Sequence, residues 1–162
     1  MHHHLRRSIA ITAALASGMV ATPVIAQSVG GANGREVLNP PGLAPLVPAY
    51  SVAIRDGDWV FVSGMTGIAP GTQDIIAGGI AAQTRQTMEN IRTAFQSGGA
   101  TMADVAECTV YLKDMGDYAA MNAEYMKFFP VNPPARATLA VTALPRPAAL
   151  VEVKCSARRR QR

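Results

Sequence analysis

Beyond residue 4 this 162-residue sequence contains no histidine; the three it has are His2, His3 and His4. The body of the chain therefore has no Ser-His or Cys-His pair to activate a nucleophile and no imidazole ligands for a metal. Cysteine is almost as scarce. Cys108 and Cys155 show neither Cys-x-x-Cys spacing nor a Cys/His cluster, so no structural metal is indicated. No glycine-rich phosphate loop precedes a predicted helix, and Gly64-Met65-Thr66-Gly67 lacks the required pattern. Covalent and nucleotide chemistry recede, no cofactor is called for, and reaction of an already activated substrate with water remains.

Basic charge is also missing from the part expected to fold. Arg6 and Arg7 precede an apolar run over residues 9–21, followed by Pro23 and the small-residue pattern Val24-Ile25-Ala26. This order predicts a secretory signal peptide over 1–26, cleaved after Ala26, and a periplasmic or secreted protein. The competing reading is a membrane anchor. The run is short for a span and is weakened by Ser17, Gly18, Thr22 and Pro23, so no stable membrane insertion is expected after cleavage. Ser8-Ile9-Ala10 after the arginine pair is a poor match to twin-arginine export. His2 to His4 would leave with the signal. Cleavage leaves thirteen basic residues against eleven acidic ones, and four of the thirteen are Arg158, Arg159, Arg160 and Arg162 in a tail over 158–162. The domain between is slightly acidic, which argues against nucleic acid as a partner.

The apolar share of 49% and charged share of 16% are those of a globular chain with room for one domain. Residues 27–48, with Pro40, Pro41, Pro45 and Pro48, predict an extended arm without regular structure. Residues 49–157 make the domain. Alternation around Asp56-Gly57 predicts a β-hairpin, and residues 65–79 a loop with a short irregular strand. Ile80, Thr84, Met88, Ile91 and Phe95 predict an amphipathic helix ending at Gly98-Gly99. A strand over about 105–112 follows, then a second helix capped by Asp117, with Tyr118, Met121, Tyr125 and Phe128 on one face. The last strands are expected over about 137–142 and 149–156. This order predicts an α+β fold, one mixed β-sheet with two helices packed on one face. Val141, Leu150 and Val153 are assigned to the other face, where partner subunits would meet it. Each cysteine lies in an apolar strand and is expected to be a buried free thiol, although pairing is possible in an oxidising compartment.

Two charges stand out. Arg136 opens the apolar strand after Pro134-Ala135, and Glu152 sits within Leu150-Val151-Glu152-Val153. A buried charge is costly unless something pairs with it. The two can pair with each other, or Arg136 can receive a visiting anion. A planar guanidinium suits a carboxylate, which it grips with two parallel hydrogen bonds. A small carboxylate-bearing ligand is the favoured partner.

Read together, Tyr50, Val60-Phe61-Val62-Ser63-Gly64, Thr109-Val110-Tyr111-Leu112-Lys113-Asp114, Asn122-Ala123-Glu124-Tyr125, Pro134-Ala135-Arg136 and Leu144-Pro145 resemble the RidA/YjgF family of reactive-intermediate deaminases, also called L-PSP endoribonucleases. The resemblance runs from about residue 50 to 157. It implies a fold like that of chorismate mutase and a homotrimer with a site in each subunit cleft. Carried over residue by residue, it implies that Arg136 binds the substrate carboxylate and Glu152 orients or activates water. Tyr50 would line the cleft, Ser63 and Gly64 would offer a hydroxyl and a close backbone, and Asn122 would lie nearby. Thr138 stands where some relatives have cysteine, a position the family uses through its backbone carbonyl as much as through its side chain.

Simpler roles compete with these: an ion pair for Arg136, pairing with Arg136 or Lys154 for Glu152, gap-filling for Tyr50, a turn for Ser63-Gly64, and local bridging for Asn122. Glu152 follows Arg136 by sixteen residues where some relatives have fifteen. The turn over 146–149 is expected to absorb the extra residue; a register shift would move Glu152 to the other face. The implied reaction is hydrolysis of 2-imino acids to 2-keto acids and ammonia without a cofactor. Non-catalytic binding or sensing of small carboxylates is the second reading. RNA cleavage is the third, disfavoured by the acidic domain, the missing histidine and the expected export.

Overall fold

The computed structural model describes residues 29–30 and 34–160. The expected signal peptide and its cleavage point, the histidine triplet and Arg162 lie outside the described residues.

The elements in chain order are β1 (Val29–Gly30), β2 (Arg35–Leu38), β3 (Ala53–Asp56), β4 (Trp59–Thr66), α1 (Gly79–Ser97), β5 (Val105–Leu112), α2 (Tyr118–Tyr125), β6 (Ala135–Ala140) and β7 (Val151–Arg158). The strands form one mixed sheet in the order β1-β2-β3-β4-β7-β5-β6. All neighbours are antiparallel except β5 and β6. That parallel pair is joined through α2, as a parallel crossover requires. β7 returns to lie between β4 and β5, so the end of the chain occupies the middle of the sheet.

The core lies between the sheet and the helices. Met88, Ile91, Ala94 and Phe95 of α1 are fully buried, as the three- and four-residue spacing predicts. They face Val60 and Val62 of β4, Val110 and Leu112 of β5, and Val151 and Val153 of β7. Apart from Ala94, each such side chain contributes roughly 1.5–3 kcal/mol by leaving water. α1 stops where the sequence predicts, and Gly98 shows why. A β-carbon there would lie 2.8 Å from Leu38 and 2.9 Å from Val60, so only glycine lets the helix end touch the sheet.

Several expectations need correction. The arm over 27–48 is not wholly irregular, because β2 pairs along β3 with Glu36 bridged to Arg55. An open β3 edge offers unpaired backbone groups to any proline-free neighbour, and 35–38 contains no proline. Asp117 makes no side-chain cap; Asp114 accepts from the Gly116 amide at 2.8 Å and forms the turn before α2. Val153 faces the helices with Val151 and Cys155, since alternate residues share a face. β6 begins two residues earlier than expected, because pairing with β5 starts at Ala135. β7 begins two later, because Ala149 is spent on a turn back to the Arg146 carbonyl.

The cysteines also depart from expectation. Cys108 and Cys155 are joined as a disulfide, with their Cα atoms 4.1 Å apart, and are not free thiols. Each does sit in an apolar strand. What brings them together is the β5–β7 register, which sets Cys108 directly opposite Cys155.

Candidate functional site

The residues singled out in the sequence fall into two groups. The first is built around a break in the β4–β7 ladder. The register shifts between Val62 and Met65, so Ser63 and Gly64 together oppose one residue of β7. This bulge bends the strand and aims both residues at one place. Glu152 lies across the gap, and a β-carbon on Gly64 would sit only 2.0 Å from its Oε1. The carboxyl group therefore rests on the glycine itself. The register keeps Glu152 on the open face, so the longer spacing from Arg136 has not flipped it.

Ser63 donates its hydroxyl proton to the Ser51 carbonyl at 2.7 Å, leaving the oxygen free to accept. The Tyr50 hydroxyl accepts from the Leu46 amide at 2.8 Å and keeps its own proton to donate. Tyr50, Ser63, Gly64 and Glu152 line a cavity of about 430 Å³ with Leu46, Val47, Thr66, Pro145 and Arg146. A smaller hollow of about 250 Å³ continues past Gly64 and Glu152 to Tyr111, Leu144 and Lys154. Burial pushes the Glu152 carboxyl above the usual carboxylate range, and it has no ion pair among the described residues.

The second group lies on the other face, where α2 meets β6. Arg136 Nη1 donates to Asn122 Oδ1 at 2.7 Å, and Nη2 donates to the Tyr118 hydroxyl at 3.2 Å. The guanidinium carbon sits 4.8 Å from the Tyr125 ring centroid and 5.8 Å from that of Tyr118. Two rings and an amide hold the cation in place, and no carboxylate among the described residues neutralises it. Its pairing with Glu152, one of the readings of the sequence, does not occur. The Thr138 and Tyr125 hydroxyls are buried without a hydrogen-bond partner among the described residues. Burial pushes the Tyr125 phenol up to about 12, against the pull of Arg136. A hydrogen bond with Asn122, and then the Arg136 charge, hold the Tyr118 phenol below its ordinary value.

Tyr118 and Tyr125 join the site only in the fold, because at helical spacing they read as core. Arg146 reads in the sequence only as part of a turn. A proline-flanked arginine carries no signal of its own, and only the fold shows that it lines the cavity.

A larger groove of about 510 Å³ lies on the outer helix surface beside Arg85, Arg92 and Lys127. Glu124 already engages Arg85 and Lys127, at 3.1 and 2.8 Å, and Glu89 engages Arg92, so those cations are spent on the chain itself. Among the described residues no group of three or more His, Cys, Asp or Glu side chains could hold a metal, and no helix is long and apolar enough to cross a membrane.

Residues 43–159 match the family model described as Endoribonuclease L-PSP. A RutC family protein of Pyrococcus horikoshii is 42% identical over 113 residues, covering 70% of this chain and 88% of that protein. The 2-iminobutanoate/2-iminopropanoate deaminase of Rattus norvegicus is 31% identical over 112 residues, or 69% of this chain and 82% of the rat protein. Among solved structures, the RidA protein of an Antarctic Psychrobacter superposes with a TM-score of 0.71 at 30% identity, covering 75% of this chain and 98% of that one.

Proposed function

The chain belongs to the Endoribonuclease L-PSP family, known also as RidA/YjgF, and on that premise we propose that it is an imine deaminase. It hydrolyses reactive 2-imino acids, such as 2-iminopropanoate formed from 2-aminoacrylate, to 2-keto acids and ammonia. The observation that carries this reading is a half-buried Glu152 seated on Gly64 in an open cavity, in a chain that also holds Arg136, neither of them ion-paired among the described residues. The rat relative's name, a deaminase of small 2-imino acids, supports the same reaction class.

In this reading Arg136 holds the substrate carboxylate, displacing neither ring beneath it. Glu152 and the Ser63 oxygen place a water against the imine carbon. The Glu152 carboxyl, kept protonated over a wider pH range by its burial, donates to the imine nitrogen and takes a proton back from the water as it adds; a second such relay carries the new hydroxyl proton to the nitrogen, and ammonia leaves as the keto group forms. The imine is already electrophilic, so positioning and this proton relay suffice. Thr138 and Asn122 support the arginine side; Tyr50 closes the glutamate side.

Arg136 and Glu152 lie on opposite faces of one sheet, so a complete site needs the arginine of one copy and the glutamate of another. A homotrimer, as the family resemblance implies, would supply that. The uncovered sheet face carries Trp59, Phe61 and Leu139, with relative exposures of 38–46%, as an apolar surface for such an interface. Export to an oxidising compartment is part of the proposal. The Cys108–Cys155 disulfide fits such a destination.

The test is 2-keto acid and ammonia release when an enzyme generating 2-aminoacrylate is coupled to the purified protein. Hydrolysis no faster than in buffer overturns the reading. Tight 2-ketobutyrate binding without turnover would instead select the carrier or sensor reading, which uses the same cavity.

A further inference from the structure

Arg146 enters the Glu152 cavity from the turn before β7, and two features set it apart from a surface arginine. Its guanidinium donates both to the Gln73 backbone carbonyl and to Gln73 Oε1, so it is fixed by neutral acceptors, and no carboxylate among the described residues pairs with it. The turn that carries it is pinned as well. The Ala149 amide donates to the Arg146 carbonyl at 2.9 Å. Gln83, buried on α1, donates to the Ala148 carbonyl at 3.1 Å and accepts from the Leu150 amide at 2.8 Å. Lys113 Nζ donates to the Pro147 carbonyl at 3.1 Å. The result is a preorganised cation that loses little freedom when a ligand arrives.

We infer that Arg146 recognises a second anionic group, so that the cavity takes 2-imino dicarboxylic acids and their 2-keto products in preference to small monocarboxylates. The cavity of about 430 Å³ lies in the size range of pockets that bury ligands much larger than a three-carbon acid. Leu46 and Val47 give it an apolar wall against which a methylene spacer packs. Arg136 faces away on the other side of the sheet, so among the described residues of one copy Arg146 is the cation lining the larger cavity, with Lys154 in the adjoining hollow. A distal carboxylate suits its fork geometry, and the Arg146 charge offsets the repulsion that an ionised Glu152 would otherwise exert on it. For turnover the inference rests on the deaminase reading; for binding it stands alone.

Calorimetry on the full protein with 2-oxoglutarate and pyruvate tests it. Wild type is expected to favour 2-oxoglutarate. Arg146→Gln should cut that preference about tenfold or more, as loss of a hydrogen bond to a charged group implies, and Arg146→Lys should restore part of it. Equal affinity for the two acids in wild type, an unchanged preference in Arg146→Gln, or binding of neither acid overturns the inference. Turnover is scored separately, with 2-iminoglutarate and 2-iminopropanoate generated by flavin oxidases. Acceleration of neither imine sinks the deaminase reading, while the binding preference still decides the role of Arg146.

Discussion

Arg136 and Glu152 sit on opposite faces of the same sheet. Arg136 on β6 is in register with Cys108, and Glu152 on β7 with Tyr111. Cys108 and Tyr111 are three residues apart on β5, and an odd separation along a strand reverses the face. The two groups best suited to imine hydrolysis therefore cannot meet within one chain.

Subunit complementation follows. Arg136→Ala and Glu152→Gln should each be nearly inactive as pure proteins. Mixed by denaturation and refolding, they should regain a fraction of wild-type activity, because some clefts then receive both native groups. Arg136→Ala alone should raise KM about tenfold to a hundredfold, the range expected for removing a charged hydrogen-bond partner. Mixtures no more active than their components would mean that the two groups do not share a cleft.

Gly64→Ala is the sharpest test of the glutamate's seat. The new methyl would lie 2.0 Å from Glu152 Oε1, so the carboxyl group must swing away. Activity should fall at least tenfold while thermal stability and circular dichroism stay near wild type. Equal activity would show that the glutamate does not work from this position.

Stability should depend on pH through Glu124. Hydrogen bonds from Arg85 and then Lys127 hold its carboxyl at about 2, against an ordinary 4.5. A depressed folded-state value means that the unfolded chain binds the extra proton first. The contribution is therefore present above about pH 4.5 and is lost as pH falls toward 2. Glu124→Gln should flatten the stability curve in that window and leave the imine reaction intact, as urea melts and the coupled assay would show.

Glu152 carries the opposite sign. Its raised value comes from burial, so ionising it costs folding free energy as pH rises through that value. Glu152→Gln should melt at a higher temperature than wild type near pH 7 while losing activity. A lower melting point would mean that the carboxylate is compensated in the folded protein.

Removing the disulfide by Cys108→Ala with Cys155→Ala should lower stability by about 2–4 kcal/mol, the usual range for a cross-link closing a loop of this kind. The bridge spans a sequence separation of 47. Denaturation midpoints with and without reductant check this on the native protein.

Much of the fold was legible because the signals were local. Strand β5 and helix α1 follow from alternation and from three- and four-residue spacing, and the Asp56-Gly57 hairpin from turn chemistry. What escaped was long-range. The cysteine bridge depends on β5–β7 register, and the pairing of 35–38 depends on an open edge elsewhere. Arg136 and Glu152 were legible as costly charges in apolar strands, yet the sequence does not show that they face apart. Tyr125 was legible only as a core aromatic, because spacing reports burial and not what a ring supports.

Placing β7 between β4 and β5 also fixes when the protein can form. Until residues 151–158 have left the ribosome, the two central strands have only gaps where their shared neighbour belongs, and the nascent chain lacks the buried Val151, Val153, Cys155 and Ala157. Closure of the sheet must wait for this last strand, so the earlier strands and α1 stay unassembled until it arrives, the delay that contacts between distant parts of a chain impose.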